Sequence, residues 1–135
     1  MKPLFPVLLM AAAAGGCVMA PPAPPAPAAS AVLAPVQAKA PLELLNFYKD
    51  ADAYRVSAER RLCANPSAGP RLETLQRRFA AATQALVARY GREQADAARV
   101  AVVTSGSDLC TNRAALATSL SSFEAAISDL EAALR

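Results

Sequence analysis

The sequence predicts an all-α protein, a small antiparallel helical bundle that follows an extended N-terminal segment. Residues 42–135 contain little glycine and abundant alanine, leucine, arginine and glutamate, all of which favour helices. Apolar residues recur there at steps of three and four, which is the period of a helix with one buried face. No alternating pattern of strand length occurs in this part of the chain. These 94 residues suffice for one hydrophobic core.

Prolines mark the limits of the first predicted helix. Pro41 suits the first helical turn, so the helix is predicted to begin there. The pair Asn65-Pro66 ends it, because a residue that precedes proline avoids the helical region. Its predicted apolar stripe consists of Leu44, Phe47, Ala51, Tyr54, Ala58 and Leu62.

Two further helices have the same periodicity. Pro70 is predicted to open the second helix, and Ser107 with Asp108 is predicted to cap the last one. The stripe of the second helix is Leu72, Leu75, Phe79, Ala82, Leu86 and Tyr90, and that of the last is Leu116, Leu120, Phe123, Ile127, Leu130 and Leu134.

The region around Gly91 is compatible with two arrangements of helices. A second helix that runs unbroken over residues 70–103 gives three helices, whereas a break at Gly91 gives four, with a short third one. A disulfide needs Cα atoms within about 7 Å. An unbroken helix, about 50 Å long, would hold Cys63 and Cys110 at opposite ends. We therefore predict four helices; three long helices with a disulfide between two chains are the alternative.

The N-terminus has the features of an export signal. Lys2 supplies positive charge, and LFPVLLM followed by alanines supplies a short apolar core. The apolar stretch from Leu4 to Ala20 has 17 residues, seven of them alanine or glycine. A membrane-spanning helix needs about 20 predominantly apolar residues. The sequence therefore predicts a cleaved leader rather than a permanent transmembrane anchor.

The stretch AGGC, which ends at Cys17, resembles the lipobox of bacterial lipoproteins, although Ala14 stands where that motif usually has leucine. The resemblance implies that residues 1–16 are removed as a signal peptide and that Cys17 is lipidated. Val18 follows the cysteine where aspartate would favour inner-membrane retention, which implies an outer-membrane location facing the periplasm. Cleavage after Ala20 is the alternative, and it would leave a soluble periplasmic protein.

The number of cysteines agrees with either form of cleavage. Three cysteines are an odd number for an exported chain. Lipidation of Cys17, or its removal with the leader, leaves Cys63 and Cys110 as a predicted disulfide pair. The alternative is a pair of buried, unpaired thiols in a protein that stays in the cytosol.

Residues 17–41 are predicted to form a tether between the leader and the bundle, which occupies residues 42–135. Six prolines lie between Pro21 and Pro35, with alanine in most of the gaps. Proline fixes φ and lacks a backbone donor, so this segment favours extended polyproline II. At about 3.1 Å per residue, residues 18–40 could span roughly 70 Å. A proline-rich ligand for a partner domain is the alternative role.

The chain offers little for catalysis. It has no histidine, which removes the usual general base and the imidazole ligands of metals. After Lys2 only Lys39 and Lys49 carry an amine, and there is no CxxC, phosphate-binding loop or nucleophile turn. We predict no catalytic residue, no metal, no cofactor and no small-molecule substrate. A hydrolase that uses carboxylates alone is the weakest alternative.

Three arginines align along one side of the second helix: Arg71, Arg78 and Arg89. Glu124 and Glu131 share a face of the last helix, seven residues apart. Both sets flank the apolar stripes, so the pattern indicates ion pairs between the two helices. A basic binding face formed by the three arginines is the alternative interpretation.

Charge is distributed unevenly along the chain, and this distribution indicates which classes of partner the protein could bind. Residues 55–99 hold nine arginines against four acidic residues. We interpret this segment first as a solvated, arginine-rich surface; the alternative is that it contacts anionic lipid headgroups or acidic polymer of the cell envelope. Nucleic acid is not expected, since Phe79 and Tyr90 are the only aromatic residues there. The sequence predicts an envelope-anchored lipoprotein whose bundle binds another envelope protein or a second copy; the alternative is a soluble periplasmic adaptor or inhibitor.

Overall fold

The structure, a computed structural model, describes residues 21–23, 37–99 and 106–135 of the chain. The contacts divide the chain into two units, Met1–Leu33 and Ala34–Arg135, and every described helix lies in the second. The predictions about the leader, the lipid on Cys17 and most of the tether concern residues outside the described ranges.

The predicted all-α bundle is confirmed, and the described residues form four α-helices. They are α1 (Leu42–Arg61), α2 (Gly69–Tyr90), α3 (Arg92–Ala98) and α4 (Arg113–Ala133). Two 3₁₀ turns, Leu62–Ala64 and Pro66–Ala68, connect α1 to α2. The described ranges contain no β-strand. Both proline signals therefore lie within one residue of the helix starts that they predict.

The chain reverses at Gly91, as the four-helix prediction requires. Gly91 has φ 92° and ψ 153°, a left-handed conformation that an L side chain rarely adopts. Its backbone N–H still bonds the Val87 carbonyl oxygen, at 2.8 Å, and closes α2. A Cβ at this position would collide with the side-chain amide of Gln37. Glycine is thus required here by the backbone conformation, whereas the end of the flexible Gln37 side chain would only have to move aside.

Helix α1 is antiparallel to α2 and to α4. Near the end of α1, the Ser57 and Ser119 hydroxyls lie 3.0 Å apart, and Ser119 is in the second turn of α4. Near the start of α1, Phe47 shares a groove with Asp129, which is close to the end of α4. Helices α2 and α4 consequently run in the same direction, side by side.

Aromatic rings at the centre of the bundle join α1, α2 and α4. The Tyr48 and Phe79 rings are stacked with centroids 5.4 Å apart, and Phe123 meets Phe79 edge-on at 5.9 Å. Aliphatic side chains surround these rings. The largest fully buried side chains are Tyr48, Leu86, Leu116, Phe123, Ile127 and Leu130.

The predicted apolar stripe of α1 is wrong at one aromatic position. Tyr48 is fully buried, whereas Tyr54 is 40% exposed. Helix α1 contacts α3 as well as α2 and α4, so its buried face is broader than a single stripe and includes Asp52. Tyr48 can be buried there because its hydroxyl has a hydrogen-bond partner, Arg99.

The predicted cap of α4 is also wrong. The helix begins at Arg113, and the Asn112 side chain accepts a hydrogen bond from the Ala115 backbone N–H, at 2.8 Å. Ser107 and Asp108 lie in the turn before the helix. The Asp108 carboxylate accepts a hydrogen bond from the Asn112 side-chain amide, at 3.0 Å, and so supports the cap from outside.

Candidate functional site

The two bundle cysteines meet at one end of the molecule. Cys63 lies in the 3₁₀ turn after α1, and Cys110 lies in the turn before α4. Their Cα atoms are 4.8 Å apart, so the pair is at disulfide distance within one chain. Both residues are exposed.

Other contacts hold the same end of the bundle together. Arg113 Nε donates to the Ala64 carbonyl oxygen, at 3.2 Å, and so links the start of α4 to the end of α1. The hydrogen bond from Asn112 lowers the pKa of Asp108, and the nearby charge of Arg61 lowers it further. The turn before α4 is therefore held by polar contacts in addition to the cysteine pair.

The three aligned arginines of α2 all contact α4. Arg71 pairs with Glu124 at 2.8 Å, and Arg78 pairs with Glu131 at 2.7 Å. Arg89 donates to the Leu134 carbonyl oxygen at 3.2 Å, where the end of a helix favours positive charge. The interpretation as ion pairs between helices is confirmed for Arg71 and Arg78. A ligand at this face would compete with those contacts.

The Arg78 pair is the better hydrogen-bonded of the two. Arg78 Nε and Nη2 contact the two carboxylate oxygens of Glu131, at 3.1 and 2.7 Å. This bidentate contact raises the pKa of Arg78 and lowers the pKa of Glu131. Both side chains are about one-third exposed, so solvent screens the pair.

A second polar network, which was not predicted from the sequence, joins α1 to α2. Arg55 pairs with Asp52 at 2.7 Å and with Glu59 at 2.8 Å, and Gln76 of α2 donates to Glu59 at 2.7 Å. Burial by itself lowers the pKa of Arg55, but the hydrogen bonds to the two carboxylates outweigh it and the pKa is raised. The network gives the buried carboxylate of Asp52 a positively charged hydrogen-bond partner, Arg55.

The start of the bundle is attached to α3 through one side chain. Gln94 accepts a hydrogen bond from the Ala40 backbone N–H, at 2.7 Å, and its amide nitrogen donates to the carbonyl oxygens of Ala38 and Tyr90, at 3.0 and 2.7 Å. Ala40 is buried. Residues 38–40, the last part of the predicted tether, are therefore bound to the bundle.

Open grooves lie on both sides of α1. The groove between α1 and α3, here called the lysine groove, has a volume of about 400 Å³ and contains Lys39, Leu42 and Lys49. The groove between α1 and α4, here called the acidic groove, has a volume of about 270 Å³ and contains Asp50, Tyr54 and Asp129. Leu42 is 74% exposed at the edge of the lysine groove.

A third groove lies between α1 and α2, with a volume of about 410 Å³. Arg55 and Arg99 face it above Phe79, and Arg99 Nε donates to the buried Tyr48 hydroxyl at 3.0 Å. Hydrogen bonding with that hydroxyl raises the pKa of Arg99. Since Arg55 is paired with two carboxylates, these arginines serve the packing of the bundle.

The described residues form neither a metal-binding cluster nor a helix that could span a membrane. No group of three or more histidine, cysteine, aspartate or glutamate side chains there could hold a metal ion. None of the described helices combines the length and the hydropathy that a membrane crossing requires. The described polar side chains mainly hold helices together, and the grooves beside α1 remain as candidate binding surfaces.

No protein family matches the chain, and no curated protein or solved structure matches it.

Proposed function

We propose that this chain is a cell-envelope lipoprotein, anchored through a lipid on Cys17. In this proposal residues 1–16 are removed, the proline- and alanine-rich segment acts as a tether, and the bundle faces the periplasm from the outer membrane. The bundle serves as a structural or protein-interaction module without catalysis.

The leader sequence, which ends directly before Cys17, carries this proposal, and the pairing of the other two cysteines agrees with it as it does with cleavage after Ala20. Cys63 and Cys110 have each other as partners at the end of the bundle. The third cysteine, Cys17, then lies where the lipobox places the modified residue. Lipidation and one disulfide together account for all three sulfur atoms.

The attachment of residues 38–40 to α3 supports the role of the preceding segment as a tether. Gln94 binds this stretch through two backbone groups, at Ala38 and at Ala40. A segment that favours polyproline II thus leads into a site that is held on the bundle. This arrangement suits a spacer between an anchor and a folded domain.

The surfaces beside α1 are the places where a partner would bind. The large apolar residues exposed in the described ranges, Leu42 and Tyr54, are both on this helix. They border the lysine groove and the acidic groove, which carry opposite charges. Another envelope protein, or a second copy of this chain, is the partner that we propose.

Intact mass spectrometry of the full chain from a membrane fraction tests the anchor. Lipidation predicts a chain that begins at Cys17 and carries a diacylglyceryl group and an additional acyl group. Cys17→Ser is the matched control, since it removes the acceptor sulfur and leaves the bundle unchanged. A lipid-free product that begins at Pro21 would instead identify a soluble periplasmic protein, and an adaptor or inhibitor would then be the better proposal.

A photo-crosslinking residue in place of Tyr54 tests the interaction module in cells. We expect one defined adduct with an envelope protein or with a second copy. The same residue in place of Arg77, which is exposed on α2, is the control and should not give that adduct. Identical adducts from both positions would contradict a specific surface beside α1.

A further inference from the structure

The lysine groove combines an apolar lining with two positive charges. The groove has a volume of about 400 Å³, and its lining contains no acidic side chain. The apolar part is formed by Leu42 and Leu45 of α1 and by Ala97 and Ala98 of α3. Lys39 and Lys49 supply its only charged groups.

The two lysines are not neutralised by neighbours in the described parts of the chain. The ion pairs there all involve arginine, and neither lysine takes part in one. Gln94, the polar side chain that α3 contributes to the lining, is engaged by Ala38, Ala40 and Tyr90. The groove therefore presents uncompensated ammonium groups beside apolar surface.

Nearby acidic residues are not part of the lining of the groove. Asp50 belongs to the acidic groove on the other side of α1. Glu43 is about 100° around the helix from Leu42, because each residue turns the helix by that angle. Glu93 and Asp96 of α3 are exposed but are not part of the lining. The lining of the groove itself thus carries charge only at Lys39 and Lys49.

Such a surface has the chemistry of a contact with anionic lipid. Lysine can lay its hydrocarbon stem along apolar surface while its ammonium group reaches a headgroup. A leucine that is 74% exposed can enter the boundary between headgroups and acyl chains. The groove also lies at the end of the bundle where the polypeptide enters, since Lys39 is in the segment held by Gln94.

We propose that the surface formed by Lys39, Leu42 and Lys49 docks the bundle onto an anionic lipid bilayer. The proposal rests on the proposed function, because a tether makes the docking intramolecular and so allows weak contacts to be occupied. The bundle then lies with the start of α1 against the membrane. The opposite end, which contains Cys63 and Cys110, points away from the membrane.

Tryptophan fluorescence tests this docking directly, because the chain contains no tryptophan. The full-length protein with Leu42→Trp is reconstituted into vesicles of brominated phosphatidylcholine, with and without phosphatidylglycerol. We expect a blue shift and quenching in the anionic vesicles and neither effect in the zwitterionic ones. Tyr54 is the other large apolar residue exposed on α1. The Tyr54→Trp variant is the control, and its fluorescence should remain unquenched in both kinds of vesicle.

Neutral substitutions then test the role of the lysines. In the Leu42→Trp background, Lys39→Gln and Lys49→Gln should each lower the docked-to-undocked ratio by about fivefold. Arg77→Gln changes the net charge equally at a distant site on α2 and should leave the ratio unchanged. Circular dichroism of each variant shows that the bundle is folded.

The outcomes separate this proposal from the anchor. If the fluorescence of the Leu42→Trp variant stays unquenched, the docking is overturned, whether or not the protein floats with the vesicles. Flotation and intact mass report separately on the lipid at Cys17. Equal quenching in zwitterionic vesicles also overturns it, as the lysines would then be irrelevant. A blue shift with soluble polyglutamate equal to that with anionic vesicles would assign the surface to acidic polymer and overturn the proposal for lipid.

Discussion

At the scale of single residues, Tyr48 connects the buried face of α1 to α2 and to the residue that follows α3. It stacks on Phe79, is fully buried, and accepts a hydrogen bond from Arg99. Periodicity places an aromatic residue on the buried face of α1, but it does not distinguish Tyr48 from Tyr54. The choice depends on Arg99, which follows α3 and is 51 residues away in the chain.

The Arg99–Tyr48 contact predicts unequal effects of removing its two partners. Tyr48→Phe removes the hydroxyl and leaves Arg99 to water, so it should lower the free energy of unfolding by about 1 kcal/mol. Arg99→Met leaves the hydroxyl buried without a partner and should cost about 1–3 kcal/mol. Urea denaturation of both variants measures the difference. A larger loss in Tyr48→Phe than in Arg99→Met would contradict this account.

The pair Arg78–Glu131 predicts a dependence of stability on pH. Because the folded chain lowers the pKa of Glu131, the pair stabilises the fold above the ordinary glutamate pKa of about 4.5. This stabilisation is lost as pH falls through the lowered value. The effect is at most about 1 kcal/mol, since the pair is partly exposed. Denaturation between pH 7 and 3 should show a shallower loss in Glu131→Gln than in the natural chain; parallel curves would exclude the effect.

Sequence spacing predicts some of the contacts between individual side chains. Asp52, Arg55 and Glu59 are three and four residues apart, which places them on one helix face. Likewise, the period of Arg71 and Arg78 matches that of Glu124 and Glu131. Burial of Asp52 was not predictable, because it follows from the approach of α2 and α3 to α1.

At the scale of elements, helix ends were predictable only where one signal dominates. Prolines give the starts of α1 and α2 to within one residue. Before α4, Ser107, Asp108 and Asn112 are all good capping residues, so propensity alone does not choose among them. The turn that contains Cys110 occupies residues 107–111, which leaves Asn112 at the cap.

The reversal at Gly91 should be the most sensitive junction between helices. Gly91→Ala imposes a left-handed conformation on a residue with a Cβ and drives that atom into Gln37, so we expect a loss of about 1–3 kcal/mol. Adding Gln37→Ala removes the collision and leaves the backbone strain. The double variant should therefore recover part of the loss, as measured by thermal unfolding.

Two results would contradict this explanation. If Gly91→Ala were as stable as the natural chain, the reversal would not require glycine. If Gln37→Ala recovered nothing, the cost would come from the backbone conformation alone. Gly69→Ala is the matched control, since a Cβ there meets no neighbouring atom.

At the scale of the whole molecule, the cysteines provided the information that local patterns lacked. A single glycine is a weak indication of a turn, and alanine-rich sequence continues on both sides of it. The requirement that Cys63 and Cys110 meet excludes a straight helix through position 91 within one chain. The structure agrees, with Cα atoms 4.8 Å apart. The broader faces of α1 and the grooves beside it depend on helix packing and were not predictable from spacing.

The disulfide should contribute substantially to the stability of this small bundle. It would close a loop with a sequence separation of 47, which restricts the unfolded chain. Replacing both Cys63 and Cys110 with serine should lower the free energy of unfolding by about 2–4 kcal/mol. Denaturation of the natural chain with and without reductant provides the second measurement.

Mass spectrometry under non-reducing conditions identifies the bond itself. We expect a peptide that links Cys63 to Cys110 within a monomer. Cys17→Ser serves as the control and should leave the unfolding free energy unchanged. A disulfide-linked dimer, or free thiols in protein purified under oxidising conditions, would contradict the pairing.

The double contact of Gln94 with Ala38 and Ala40 has a mechanical consequence. Force applied to the chain on the N-terminal side of Ala38 reaches these two hydrogen bonds before it reaches the first turn of α1. Their rupture would release only a short length of chain and leave the aromatic centre intact. A pulling experiment should thus record a small extension at low force, followed by unfolding of the helices at higher force.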